Sequence, residues 1–313
     1  MGAKYRHALP QLSGNIFLTD ADIETDLIFN HGVEIPKFAA HTLLSDENGR
    51  QAVQRYLRGF LSLARDRGTG FILDSQTWKA HPHWAAHLGA AAEDLRPVNH
   101  DAIALISGLR EEFANNAAPI VLNGVIGPRG DAYAPEELIS PDESQRYHAQ
   151  QIGWLAETDV DMVTALTFTQ SGEAIGVVRA AQGAGLPVVI SFTVETDGRL
   201  PSGQPLSEAV EAVDQATRNG PAYYMVNCAH PDHFAGDLTD SSWGRRIRGL
   251  RCNASRMSHA ELEACEMLDD GNPRELATQY RAIRMALPWM NVFGGCCGSG
   301  LRHVTQIATA LAA

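Results

Sequence analysis

Along almost the whole 313-residue chain, short apolar runs alternate with longer stretches whose apolar residues recur at helical spacing. The runs cover Ile16 to Thr19, Phe71 to Asp74, Ile120 to Val125, Met162 to Leu166, Val188 to Phe192, Tyr224 to Asn227, Ile247 to Arg251 and Asn291 to Phe293. Between them lie amphipathic segments: Val53 to Arg67, Ala102 to Phe113, Asp142 to Glu157, Glu173 to Gln182, Leu206 to Arg218, Arg274 to Ala286 and Leu301 to Ala310. Ser140-Pro141 and Asn272-Pro273 each put a capping residue before a first-turn proline, while Gly68 and Gly220 supply stop signals. Repeated strand-then-helix units call for a parallel sheet with helical crossovers, and eight units are the number that closes a (β/α)₈ barrel. An open doubly wound sheet competes, but no Gly-x-Gly-x-x-Gly turn follows the first run. No linker or low-complexity stretch divides the chain. The expectation is an α/β fold, a (β/α)₈ TIM barrel that takes residues 1–313 as a single domain.

Composition narrows the function classes. Hydrophobic residues make up 44% and charged residues 20%, the balance of a soluble globular protein. No apolar run approaches the roughly 20 residues that span a bilayer. The segment Met1-Gly2-Ala3-Lys4-Tyr5-Arg6-His7 has no apolar signal stretch, so the expected location is the cytoplasm. A net charge of −12 argues against a phosphate-backbone partner, and the basic run Arg245-Arg246-Ile247-Arg248 is too short to reverse that. The expected partners are small molecules, with no nucleic acid and no membrane. Nothing in the pattern speaks to oligomeric state.

Five cysteines, an odd number without an export signal, point away from structural disulfides and toward metal binding or catalysis. Two are adjacent in Gly294-Gly295-Cys296-Cys297-Gly298, and a third follows strand six in Asn227-Cys228. Neighbouring side chains on a regular strand point to opposite faces. Glycines on both sides let the backbone turn so that both thiols enter one pocket. In a closed barrel these three residues fall at the C-terminal ends of strands six and eight, the rim that carries active sites. Three thiols with an open fourth position are a donor set for zinc that captures one exogenous ligand. Cys265 reads as a packing residue on an acidic helix, and Cys252 as a weaker candidate for a fourth thiolate.

With those motifs the sequence resembles the homocysteine S-methyltransferase family, zinc-dependent barrels that move a methyl group onto a thiol. The resemblance rests on Asn227-Cys228 and Gly294-Gly295-Cys296-Cys297-Gly298, the family's zinc-ligand motifs. It continues through Gly127-Pro128-Arg129-Gly130, Ile190-Ser191-Phe192-Thr193, Asp197-Gly198-Arg199-Leu200, Ser202-Gly203 and Pro205-Leu206, from about Phe17 to Ile307. It implies Zn²⁺ held by Cys228, Cys296 and Cys297, which would be both metal ligands and catalytic residues. It also implies substrate contacts from Asp20, Glu24, Gln76, Thr77, Thr167 and Asn227. Departures fall at the end that reads the amino-acid head group. Asp20-Ala21-Asp22 stands for the family's Asp-Gly-Gly, and Ser75-Gln76-Thr77 for Thr-Asn-Thr. Leu166 takes a carboxylate's place before Thr167, and Cys252-Asn253-Ala254-Ser255 replaces a Pro-Asn-Ser stretch.

The residue types suit the chemistry. A free thiol with pKa near ~8.5 is mostly protonated at neutral pH, and coordination to zinc deprotonates it. Three thiolates make the site anionic, which preserves electron density on a fourth sulfur and favours a cationic methyl donor. Trp78, Phe168 and Phe192 are candidate aromatic faces for that donor, with ordinary core packing as the plainer reading of each. His230 and His233 are read as supporting or structural residues, and the group His81, His83 and His87 as lining of the mouth or neutral surface. The expected activity is methyl transfer from S-methylmethionine or S-adenosylmethionine to homocysteine, giving methionine. Alternatives are another thiol, a betaine-type donor, or a non-catalytic zinc or redox protein in which Cys296 and Cys297 bridge. A zinc hydrolase ranks low, because three thiolates make a poor Lewis acid.

Overall fold

The computed structural model describes residues 2–115, 118–132, 138–265 and 267–312. Eight parallel strands close into a barrel in sequence order: β1 (Phe17–Leu18), β2 (Gly70–Asp74), β3 (Ile120–Ile126), β4 (Met162–Phe168), β5 (Val188–Phe192), β6 (Tyr224–Asn227), β7 (Ile247–Cys252) and β8 (Val292–Gly295). Closure comes from β1 pairing with β8, Phe17 opposite Val292 and Leu18 opposite Phe293. Around it lie α1 (Ile23–Thr25), α2 (Glu47–Arg67), α3 (Pro82–His87), α4 (Leu95–Glu112), α5 (Pro141–Ala156), α6 (Ser171–Gly183), α7 (Leu206–Thr217), α8 (His259–Ala264), α9 (Pro273–Ala286) and α10 (Leu301–Ala312). Among the described residues no helix is long and apolar enough to cross a membrane.

Local chemistry sets most element ends. Ser140 caps α5 by accepting from Glu143 N, and Asn272 caps α9 by accepting from Arg274 N and Glu275 N. Asp46 does the same for α2, which therefore begins at Glu47 rather than Val53. Gly68 ends α2 at φ 65°, as its position suggests. Gly220 does not end α7. Arg218 and Asn219 take the left-handed turn there, at φ 57° and 56°, and Gly220 is small because a Cβ would come within 2.5 Å of Val178. The sequence gives no helical period for 26–45, which forms one π-helical turn and two short 3₁₀ turns over the rim.

The inner face of the barrel changes character along its axis. Phe17, Ile72, Val121, Met162, Val189, Met225 and Val292 form an apolar plug, with Leu9 beneath. Two residues further along β2 to β6, on the same face, stand Asp74, Asn123, Thr164, Ser191 and Asn227, and Arg251 follows Gly249 on β7. The apolar end holds the barrel closed and the polar end faces the mouth.

One charged pair is buried near the N-terminal end. Asp161, just before β4, accepts from Arg110 Nη1 at 2.8 Å, Leu122 N at 2.9 Å and Tyr5 N at 2.8 Å. Its side chain is 0% exposed and that of Arg110 5%. Removing the carboxylate leaves a guanidinium without its counter-charge in a dry site. Asp161→Ala is expected to lower unfolding stability by about 3–5 kcal/mol in a urea titration.

Candidate metal and substrate site

Cys228, Cys296 and Cys297 meet at the mouth, their sulfurs all within 4.8 Å of one another. Cys228 Sγ lies 2.9 Å from Cys296 Sγ and 3.4 Å from Cys297 Sγ. None of the three is joined in a disulfide. Zinc–sulfur bonds of about 2.3 Å put tetrahedral sulfurs about 3.8 Å apart, so the two distances from Cys228 would each open by less than about 1 Å to hold it. The donor set therefore fits zinc with one further ligand. Hydrogen bonds from Cys228 and Cys297, aided by the Arg251 charge, push the pKa of Cys296 well below the usual thiol value. Cys297, facing its neighbours as a proton donor, is pushed well above it.

The backbone brings the sulfurs together. Cys228 sits at φ 58°, a left-handed conformation uncommon for a side-chain-bearing residue, which swings its thiol off the end of β6. Its carbonyl accepts from His259 Nε2 at 2.6 Å, and its N–H donates to Arg251 O at 3.0 Å. On β8, a Cβ at Gly294 would collide with Thr19 and one at Gly295 with Ser299, so only glycine lets this strand end lie against β1. Gly298, at φ 75°, completes the turn that aims both adjacent thiols inward.

Beneath the sulfurs lies a buried guanidinium. Arg251 donates through Nε to Gly295 O at 3.1 Å, through Nη2 to Asp20 at 2.7 Å and Ala21 O at 3.0 Å, and through Nη1 to Asp74. Asp74 also accepts from Asn123 at 2.7 Å, and Asn123 from Thr164 at 2.9 Å. One cation thus serves two carboxylates in a dry site. Burial raises Asp20 to about 8 against the opposing pull of Arg251, with Asp74 adding to the rise. Glu24 is likewise pushed well above the ordinary carboxyl value by burial and by Asp22.

The other expected site residues divide. Asn227 is central: its Oδ1 accepts from Thr167 N at 3.0 Å and Ser191 Oγ at 2.6 Å. Its Nδ2 donates to Thr167 Oγ1 at 2.8 Å and lies 3.8 Å from Cys296 Sγ. Gln76 is buried and donates to Asp74 O at 3.0 Å, while its Oε1 has no partner. Thr77 spends its hydroxyl on Val125 O and Ser75. Cys252 points to the outer face of β7 beside Tyr280, where burial pushes its thiol up to about 12; it stands apart from the sulfur trio. Cys265 is exposed after α8, not packed. Phe168 and Phe192 are fully buried against His148 and Tyr224, outside the barrel's mouth. Trp78 does lie at the rim, half-buried, bonded to Leu166 O. His230 accepts from Asp232 N and is held neutral by burial, its pKa lowered to about 4. Arg251, Asp74 and His259 were not anticipated. A hollow of about 730 Å³ opens at the opposite end, around Asn15, Arg65 and Thr69, and holds none of this chemistry.

The model of the family described as homocysteine S-methyltransferase matches residues 17–311. Among solved structures, the oxidized form of the homocysteine methyltransferase MmuM from Escherichia coli is 17% identical, with 96% of this chain and 98% of that chain covered and a TM-score of 0.76. The metallated form of the same protein is 16% identical, with 94% and 96% covered and a TM-score of 0.73. At these identities the likeness to MmuM is a likeness of fold.

The raised pKa of Asp20 has a sign. Between the ordinary carboxyl value of 3.8 and about 8 the folded chain binds a proton at this group that the unfolded chain has lost. Its contribution to stability therefore falls as pH rises through that window. The stability difference between the unaltered chain and Asp20→Asn, measured by denaturant titration from pH 4 to pH 8, is expected to move steadily against the unaltered chain. A difference that does not change with pH would contradict the assignment.

Proposed function

Because the chain belongs to the homocysteine S-methyltransferase family and is a methyltransferase, we propose that it moves a methyl group from a cationic donor onto a thiol, with homocysteine the acceptor and methionine the product. The meeting of Cys228, Cys296 and Cys297 at the barrel mouth carries this reading. Zinc held by those three sulfurs would supply deprotonation of the acceptor thiol near neutral pH. In the transfer, a lone pair on the acceptor sulfur forms the new S–C bond. The donor's bond from the same carbon to its onium centre breaks, and that pair stays on the departing neutral group. No proton moves in this step.

The chain's own residues do the rest. Arg251 offsets part of the negative charge that the sulfurs and Asp74 bring to one end of the barrel. Asp20, once ionised, can meet the ammonium of an amino-acid thiol. Asn227 ties the turn at Thr167 to the sulfur of Cys296 and so fixes where the acceptor meets the thiols. The donor is proposed to be a sulfonium of the S-methylmethionine or S-adenosylmethionine type.

One observation favours a second acceptor. Leu166 offers no carboxylate at the end of β4, and Gln76 is turned toward Asp74 O, so the grip on an ammonium rests on fewer groups. A thiol without the homocysteine head group, or a betaine-type donor, is the alternative.

Purified chain prepared without chelator is expected to hold one equivalent of zinc and to methylate homocysteine with S-methylmethionine or S-adenosylmethionine. Cys228→Ser and Cys297→Ser should lose metal and transfer together. Asn227→Ala is expected to weaken zinc retention or turnover by about 10–100-fold. Methylation of other thiols in preference to homocysteine would establish the second acceptor. A chain with no zinc and no transfer to any thiol would sink the proposal.

A further inference from the structure

Beside the mouth, two indole rings enclose an ammonium. Lys79 Nζ lies 3.8 Å from the ring centroid of Trp84 and 5.3 Å from that of Trp78. It also donates to Lys37 O at 2.7 Å. Trp78 cannot drift: its Nε1 donates to Leu166 O at 3.0 Å and its carbonyl accepts from Gly127 N at 3.0 Å. Gly127 must be glycine there, because a Cβ would come within 2.5 Å of Trp78 O and 3.0 Å of its Nε1. The ring is therefore pinned where β2, β3 and β4 end. Trp84 stands on α3, its ring flanked by His83 and His87 at 5.4 Å and 5.6 Å.

Burial lowers the Lys79 pKa, with Glu24 and Asp131 opposing the drop and Lys37 adding to it. Trp78, Trp84 and Lys79 are each half-buried, so the pocket is reachable from solvent and partly desolvated. A lysine ammonium is a compact, strongly hydrated charge on a flexible stem, and here it reaches one carbonyl. A methylated sulfonium or quaternary ammonium needs no hydrogen-bond acceptor and presents its charge directly to π faces, the recognition used for such cations. Two aromatic walls therefore serve an onium better than they serve the lysine.

We propose that Trp78 and Trp84 form a binding site for a methyl-onium group and that Lys79 is its built-in occupant, displaced when the onium enters. The proposal rests on the reading that the methyl donor is cationic. It makes Lys79 a specificity-determining residue. A neutral donor has no means of displacing it, whereas a cationic one takes over its two rings.

Isothermal titration calorimetry of the zinc-loaded chain with tetramethylammonium, which cannot donate a methyl under these conditions, tests the site without turnover. Sodium chloride at equal ionic strength is the control. Lys79→Met is expected to bind tetramethylammonium about tenfold more tightly, and Lys79→Met with Trp84→Leu to lose that gain. Should the latter not fold, Trp84→Phe, with a weaker π face in the same packing, should lie between the two. Unchanged or weaker binding in Lys79→Met overturns the proposal, as does tight binding that survives loss of Trp84. A chain that methylates thiols yet fails this test loses the site and keeps the function. One that binds the onium as expected but methylates no thiol keeps the site and loses the function.

Discussion

The mouth of this barrel depends on one buried guanidinium. Arg251 joins three neighbouring strand ends to β7: Asp20 and Ala21 after β1, Asp74 on β2 and Gly295 on β8. Each of those groups, left alone in a dry interior, would cost free energy, and the two carboxylates would repel. Held around one planar fork they set the spacing of the strands that carry the chemistry. Gly295 is the residue before Cys296, so the grip on its carbonyl also places the adjacent thiols. Charge balance at the site and the position of its sulfurs are two results of the same contact.

The barrel was legible because alternation of buried strands with amphipathic helices leaves few folds open. β5 and β6 fall where their apolar runs fall, and the other strands differ by a few residues at their ends. The sulfur trio was legible for a different reason: glycines around Cys296 and Cys297 signal a turn that no regular strand makes. Arg251 escaped notice because it closes an apolar run on a chain with a nearby basic series, Arg245, Arg246 and Arg248. A period-two reading shows the pattern. Each polar inner residue follows an apolar or glycine inner residue by two positions, Ile72 before Asp74 and Gly249 before Arg251.

The same parity explains why two aromatics are away from the mouth. Ser191 faces inward to Asn227, so Phe192 must face outward, where it stacks on Tyr224 at 6.2 Å. Along β4 a register shift between Ala165 and Phe168 interrupts the alternation, so counting from Met162 no longer says which face Phe168 takes. Residues 26–45 were opaque because short turns of 3₁₀ and π helix carry no sustained period.

At the ends of β4 and β6, Thr167 at φ 64° after Leu166 and Cys228 at φ 58° after Asn227 both adopt left-handed backbone. Each costs on the order of 1–2 kcal/mol relative to extended or helical backbone. Both are overdetermined by the same neighbour. Asn227 holds Thr167 through its N–H and its hydroxyl, and it directly precedes Cys228, whose own N–H and carbonyl are fixed by Arg251 and His259. The strained turns are thus locked to each other rather than scattered. Relaxing either one would carry a thiol or the end of β4 away from the centre of the mouth. A site that must bring three sulfurs and an acceptor within bonding reach gains from that coupling, because the sulfurs cannot disperse without breaking hydrogen bonds that water does not reach.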